Sequence, residues 1–161
     1  MEEIENLIIY NLNDLNGNLD SEKLNLYWCI GNELNKLDCN LINSLSKKLV
    51  SKYGDEYNIN NLNNMYQFYM CYPLWNDELT KLSFDYYLEL IKIKDKDKRE
   101  FYYKETINNK WDLITLELKI ETLYYESTLK INNYIKEQEG EYMVLNNKLD
   151  ISFNSDDFIL F

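Results

Sequence analysis

No histidine and no alanine occur in this chain, arginine occurs once, at Arg99, and proline once, at Pro73. Without histidine, the usual general base near neutral pH and the commonest nitrogen ligand for a metal are both missing. Four glycines are too few for an all-β fold made of many short strands and tight turns. There is no apolar run of about 18 residues and no basic-then-apolar leader, so neither a membrane span nor a secretory signal is expected. A cytoplasmic protein with no membrane partner is the expectation. Cys29, Cys39 and Cys71 are odd in number and scattered, which suits free thiols in a reducing compartment better than a disulfide framework. With no histidine to activate them, they read as packing residues. No glycine-rich phosphate loop and no Cys/His metal spacing is present. No enzyme activity, cofactor or metal is therefore expected.

What is present describes a single domain over 1–161. Hydrophobic residues at 45% and charged ones at 28% suit a soluble chain long enough to bury its own core. The formal charge is −11, and it is unevenly placed. Residues 1–22 carry six acids and no base, and residues 112–161 carry ten acids against four lysines. The middle, 23–111, is nearly neutral, with twelve acids and thirteen bases. A phosphate-binding domain normally shows a basic face, and here only Lys47, Lys48, Lys52 and the run 92–99 gather any positive charge. That charge balance argues against direct binding of duplex nucleic acid.

Hydrophobic spacing predicts a mainly α fold of about seven helices. An acidic helix and linker fill 1–19, a helical core 20–138, and a hairpin and acidic, apolar tail 139–161. The second helix starts near Asp20 or Ser21 with Leu24, Tyr27, Trp28, Gly31 and Leu34 on one side, and Gly31 suits a close helix crossing. The third covers about 40–52 with Leu41, Leu45, Leu49 and Val50 inward. Gly54 ends it, and Asn58 caps the fourth, 58–72, whose stripe is Ile59, Leu62, Met65, Phe68 and Tyr69. Leu74 and Trp75 are expected to pin the segment after Pro73. Ser83 would cap a fifth helix to Ile93, with Tyr87, Leu88 and Ile91 apolar. The run 94–99 reads as a solvated loop and first turn, and a sixth helix over 96–109 buries Phe101, Tyr102 and Ile107. Asp112 would cap the seventh and longest, through Leu113, Leu116, Ile120, Leu123, Tyr124, Ile131 and Ile135. A homodimer seam along it is one option, although Ser127 and Lys130 interrupt a strict heptad. Glu141–Leu145 and Lys148–Phe153 flank Asn146-Asn147 as a short β-hairpin. The apolar end, Phe158 to Phe161, would dock inward or on a partner.

The helix pair around Gly54 is a helix-turn-helix candidate. Further pieces fall in a consistent order: Leu26-Tyr27-Trp28 with Ile30-Gly31, Leu45-Ser46 with Leu49, Asn61-Leu62, Met65, Gln67-Phe68-Tyr69 and Tyr72-Pro73. Leu82-Ser83, Leu88-Glu89-Leu90, KDKREFY over 96–102, Trp111, Leu116-Glu117 and Leu123-Tyr124 follow. Over roughly 24–126 the chain thereby resembles the N-terminal domain of the YhcG-like proteins, whose C-terminal half is a PDDEXK-type nuclease. The resemblance implies a helical, winged-helix-like domain that binds DNA or assembles with partners, here without the nuclease half. Where that family carries arginines, this sequence has Ile59, Asn60, Asn64 and Tyr66.

The candidate partner face is accordingly Asn60, Asn61, Asn63, Asn64, Tyr66 and Gln67, polar and uncharged. Tyrosines in neighbouring pairs (66/69, 86/87, 102/103, 124/125) should put one ring of each pair outward, to meet protein or stack on single-stranded bases. An acidic partner surface is expected from Asp55, Glu56, Glu137, Glu139, Glu141, Asp156 and Asp157. These features suggest a non-catalytic inhibitor or regulator of a basic nucleic-acid-binding enzyme in a bacterial cell, of the anti-CRISPR or other anti-defence, DNA-mimicking kind that phages and mobile elements encode. The alternative is a DNA-binding module acting with a separate nuclease subunit. There Asn60, Asn61 and Asn64 read adenine edges, and Lys47, Lys48 and Lys52 touch phosphates.

Overall fold

The computed structural model describes residues 2–13 and 19–152, with the backbone alone at 11–13, 19 and 140–152. Eight α-helices and two 3-10 turns follow one another among the described residues: α1 Glu2–Asn13, α2 Leu19–Leu34, α3 Cys39–Tyr53, a turn at Asp55–Tyr57, and α4 Ile59–Cys71. A second turn at Asp77–Lys81 precedes α5 Phe84–Leu90, α6 Lys96–Asn108, α7 Leu113–Glu121 and α8 Tyr124–Ser152. The chain divides into two compact units, 1–117 and 118–161.

In the first unit α2 and α4 form the central pair. Their closeness depends on Gly31, because a Cβ there would lie 2.3 Å from the Met65 carbonyl oxygen and 2.8 Å from the Tyr69 Cβ. Leu26, Tyr27, Ile30 and Leu34 of α2 meet Leu62 and Met65 of α4 in the core, which Leu45 and Leu49 of α3 complete. Helix α1 joins them through Ile4 and Ile8, both fully buried, core positions the acidic composition of this segment concealed. A second cluster is aromatic: the Phe68 ring lies 4.6 Å from Tyr87 and 5.7 Å from both Tyr72 and Phe84.

The caps expected at Asn58 and Asp112 form. Asn58 Oδ1 accepts from the Asn61 amide at 3.0 Å, and Asp112 Oδ1 from that of Thr115 at 2.8 Å. Ser83 holds the N-cap position of α5 without a side-chain cap bond. Gly54 closes α3 at φ 100° and ψ 176°, a conformation essentially reserved for glycine.

Five expectations need correction. First, no strand occurs among the described residues: 141–152, expected as a hairpin, is part of α8. Asn146-Asn147 would have needed positive φ at both positions and a sheet to join, since an isolated hairpin is marginal in water. The helical bonds running in from Tyr124 continue at little cost through Glu, Met, Leu and Lys. With no strand there is also no wing beside the helix-turn-helix pair within the described residues. Second, the long seventh helix is two, since Leu123 adopts φ 55° and α8 begins after it. Third, Leu41 and Leu74 point outward, at 41% and 79% exposure, while Val50 is half-buried; Trp75 does pack, 5.9 Å from Trp28. Fourth, Arg99 is buried rather than solvated: its Nη1 donates to the Ile93 carbonyl at 2.7 Å and its guanidinium lies 5.8 Å from the Tyr72 ring centre. Fifth, Tyr102 and Tyr103 are both buried, so that pair presents no outward ring.

In the second unit α8 runs for 29 residues with Ile131, Tyr134 and Ile135 exposed. No described helix is long and apolar enough to cross a membrane. The linker around Gly17, Asp156, Asp157 and the end Phe158 to Phe161 lie outside the described residues.

Candidate interaction face

Helix α4 carries the candidate face because its two sides have opposite tasks. Leu62, Met65 and Phe68 are buried, which turns positions 60, 63, 67 and 70, spaced by three and four, toward solvent. Asn60, Asn63, Gln67 and Met70 are all exposed. They form an uncharged strip of amides ending in a thioether, and exposed Leu74 follows beyond the helix.

The other predicted residues of this face lie elsewhere. Asn61 is half-buried, and its Nδ2 donates to the Glu56 carbonyl at 3.0 Å, so its amide serves the fold. Tyr66 packs against the core, and Asn64 is half-buried. Met70 and Leu74 were missing from the predicted set. Counting three residues on from Gln67 would have found Met70; Leu74 lies beyond Pro73, where the helical count no longer holds.

Of the three lysines expected to touch phosphates, two are occupied. Glu5 of α1 reaches across to α3, its Oε1 paired with Lys48 Nζ and its Oε2 3.0 Å from Lys52 Nζ. Lys48 and then Lys52 hold the Glu5 carboxyl below the usual carboxylate range. Lys47 is exposed.

The acids expected to face a partner differ among themselves. Asp55, Glu137 and Glu139 are exposed, and Glu141 lies within α8. Glu56 is engaged inside the molecule: it accepts from the Tyr27 hydroxyl and pairs with Lys23 at 2.9 Å. Burial pushes its carboxyl up, but Lys23 and Tyr27 more than offset this, so the net shift is downward. The burial that opposes Glu56 also raises the Tyr27 phenol, with the Glu56 charge adding to it.

A cleft of about 370 Å³ lies elsewhere in the first unit, lined by Tyr72, Leu79, Glu100, Tyr103, Lys104 and Ile107 among others. Lys104 pairs with Glu100 at 3.3 Å and Lys81 with Glu78 at 2.5 Å, so its charges are balanced internally. Tyr103 is fixed by donating to the Glu78 carbonyl at 2.7 Å. Among the described residues no group of three acidic or cysteine side chains gathers as a metal site would require. Burial raises the Cys29 and Cys71 thiols, the opposite of what a nucleophilic cysteine needs.

Comparison with known proteins places this geometry in context. The model of the DUF1016 N-terminal domain family matches residues 3–127, from α1 to the start of α8. A curated protein of Escherichia coli (strain K12) named "Putative nuclease YhcG" is 29% identical over 121 residues, covering 55% of this chain and 32% of the relative. The match thus spans about a third of that relative's length. No solved structure matches the chain.

Proposed function

Because the chain belongs to the DUF1016 N-terminal domain family, we propose that it is a non-catalytic interaction protein that uses the uncharged outer strip of α4 to hold a protein partner. The partner is a basic enzyme that processes nucleic acid, and the chain inhibits or regulates it. One observation carries the reading: two of the three lysines of α3 and the single arginine are engaged within the molecule. Lys48 and Lys52 pair with Glu5, and Arg99 is buried against Tyr72. An amide and methionine surface suits protein recognition, since a thioether adapts its shape and amides supply hydrogen bonds without a charge to desolvate. The net charge of −11 steers such a chain toward a basic channel, where its acids compete with nucleic acid. An anti-defence inhibitor of the anti-CRISPR kind has this chemistry. The relative named as a nuclease makes nucleic-acid processing the natural setting.

A second reading, a DNA-binding module that works with a separate nuclease subunit, draws on exposed Asn60 and exposed Lys47 beside a helix-turn-helix order. Fluorescence anisotropy with a labelled AT-rich duplex separates the two. Under the first reading no affinity appears between about 50 and 200 mM salt. Affinity that falls steeply over that range and vanishes in N60A/N64A overturns it in favour of the second.

A further inference from the structure

Tyr72 carries a buried polar group that the fold leaves unsatisfied. Its ring is held from several sides: the ring centres of Phe68, Tyr87 and Tyr103 lie 5.7, 5.1 and 6.3 Å away, and the Arg99 guanidinium lies 5.8 Å off. Clamped in this way, the ring cannot swing to find a partner, and its hydroxyl is buried without a hydrogen bond. The neighbouring phenols of Tyr87 and Tyr103 do reach carbonyls. A buried hydroxyl with no partner weakens a fold, so its presence calls for a reason other than stability. Tyr72 lines the cleft of about 370 Å³ between the turn Asp77–Lys81 and α6, and that cleft supplies one.

The make-up of the cleft restricts what would occupy it. Its volume lies in the lower part of the range of about 300–1,000 Å³ usual for small-molecule sites. Each wall carries its own ion pair, Lys81 with Glu78 on the turn and Lys104 with Glu100 on α6. A charged ligand would have to break a pair or lie beside a like charge, so a neutral one is favoured. Tyr103, Leu79 and Ile107 supply the aromatic and apolar surface that suits a flat ring. Asn76 spends its Oδ1 on the Glu78 amide and keeps its Nδ2 as a donor. Asn108, exposed at the end of α6, adds a second carboxamide. Together with the Tyr72 hydroxyl, these are donors that ask for acceptors. The side chains of phenylalanine and tryptophan offer none, since a phenyl ring has no polar atom and an indole N–H only donates. A nucleobase is neutral and flat, with acceptors and donors along one edge that carboxamides can meet.

We propose that this cleft binds a nucleobase, its ring against Tyr103, Leu79 and Ile107 and its polar edge toward the Tyr72 hydroxyl and the amides of Asn76 and Asn108. The base arrives on a free nucleoside or on a single strand of nucleic acid. A duplex, whose bases are paired and stacked, has none to offer, so the cleft is compatible with a chain that ignores duplex. The cleft uses no residue of the exposed α4 strip, and the proposal stands apart from the partner reading.

Isothermal titration calorimetry of the full chain with adenosine, inosine, cytidine and uridine, each up to about 5 mM, tests the proposal. At least one should bind with a dissociation constant of about 0.1–1 mM, as befits a ligand of this size, and no binding by any of them overturns it. Indole, a flat ring that only donates, should not bind, and indole binding as tightly as the nucleosides overturns it too. Tyr72→Phe keeps the ring and loses only the hydroxyl. It should weaken binding about tenfold, while the urea midpoint stays level or rises because the fold gives up no hydrogen bond. Unchanged affinity in this variant rejects the proposal. Ile107→Trp, at a half-buried position, should fill the cleft and abolish binding, and retained affinity places the site elsewhere. A single strand of about five residues of the preferred base, titrated alongside, identifies the source. Tighter binding than the nucleoside makes it the strand, and equal or weaker binding makes it the free nucleoside.

Discussion

Adding one methyl group at Gly31 tests the closest contact in the fold. In the middle of α2, glycine to alanine should favour folding by about 1 kcal/mol on helix propensity alone. Here the new Cβ would sit 2.3 Å from the Met65 carbonyl oxygen and 2.9 Å from its carbonyl carbon. The first distance is about 1 Å short of the roughly 3.3 Å at which an aliphatic carbon and a carbonyl oxygen meet. The obstacle is backbone, so no rotamer change relieves it, and α2 and α4 must separate. Overpacking of this kind costs about 1–3 kcal/mol, and here the upper end applies because the displaced helices share Ile30, Leu62 and Met65. After the propensity gain, Gly31→Ala should destabilise by about 2 kcal/mol. With a urea slope of about 2 kcal/mol/M, the midpoint falls by roughly 1 M. Urea unfolding followed by tryptophan fluorescence measures this directly, since Trp28 lies in the same helix. A variant as stable as the parent, or more so, would refute the close crossing and leave only propensity in force.

Three further outcomes follow from the same contacts. The folded-state carboxyl of Glu5 is depressed, so the stability it contributes is present above the ordinary glutamate value of about 4.3 and is lost as pH falls through the lower folded value. Melting temperatures should drop on acidification below about pH 4.5, and Glu5→Gln should drop less over the same range; an equal drop in both removes Glu5 from the account. Arg99→Lys keeps the charge but loses the planar group over Tyr72 and the Nη1 bond to Ile93. It should cost about 1–3 kcal/mol by chemical denaturation, and a neutral result would mean the guanidinium geometry is unimportant. N63A/Q67A, on exposed positions, should leave stability within about 0.5 kcal/mol while weakening partner capture; a large stability loss would make these residues structural.

Most of the helical frame could be read from spacing and caps, because those signals are local. Asn58 and Asp112 cap where their short side chains reach the third amide on, and Leu62, Met65 and Phe68 are buried as their period requires. What could not be read depended on partners distant in the chain. Nothing near Arg99 announces that its guanidinium will be buried against Tyr72, and nothing near Glu5 announces two lysines more than forty residues away. The Asn146-Asn147 signal fitted a hairpin but lacked a sheet to join. The break at Leu123 had no glycine or proline to mark it. The candidate face was visible as an amide-rich surface, yet burial of α4 had to decide which amides face outward and which, like that of Asn61, are used within the fold.

The hydroxyl of Tyr103, already seen to hold Glu78, has a companion in Tyr87, and together they have a spectroscopic consequence. Tyr87 donates to the Leu79 carbonyl and Tyr103 to that of Glu78, so the turn Asp77–Lys81 is fastened by phenols that donate only while protonated. Burial drives the Tyr87, Tyr72 and Tyr103 hydroxyls upward and pushes Tyr57 up to about 12. Raised folded-state values mean that these groups stabilise the fold fully below about pH 10, the ordinary tyrosine value, and progressively less as alkali is added. In an absorbance titration near 295 nm the buried phenols of Tyr57, Tyr72, Tyr87 and Tyr103 should ionise late, together with loss of the fold.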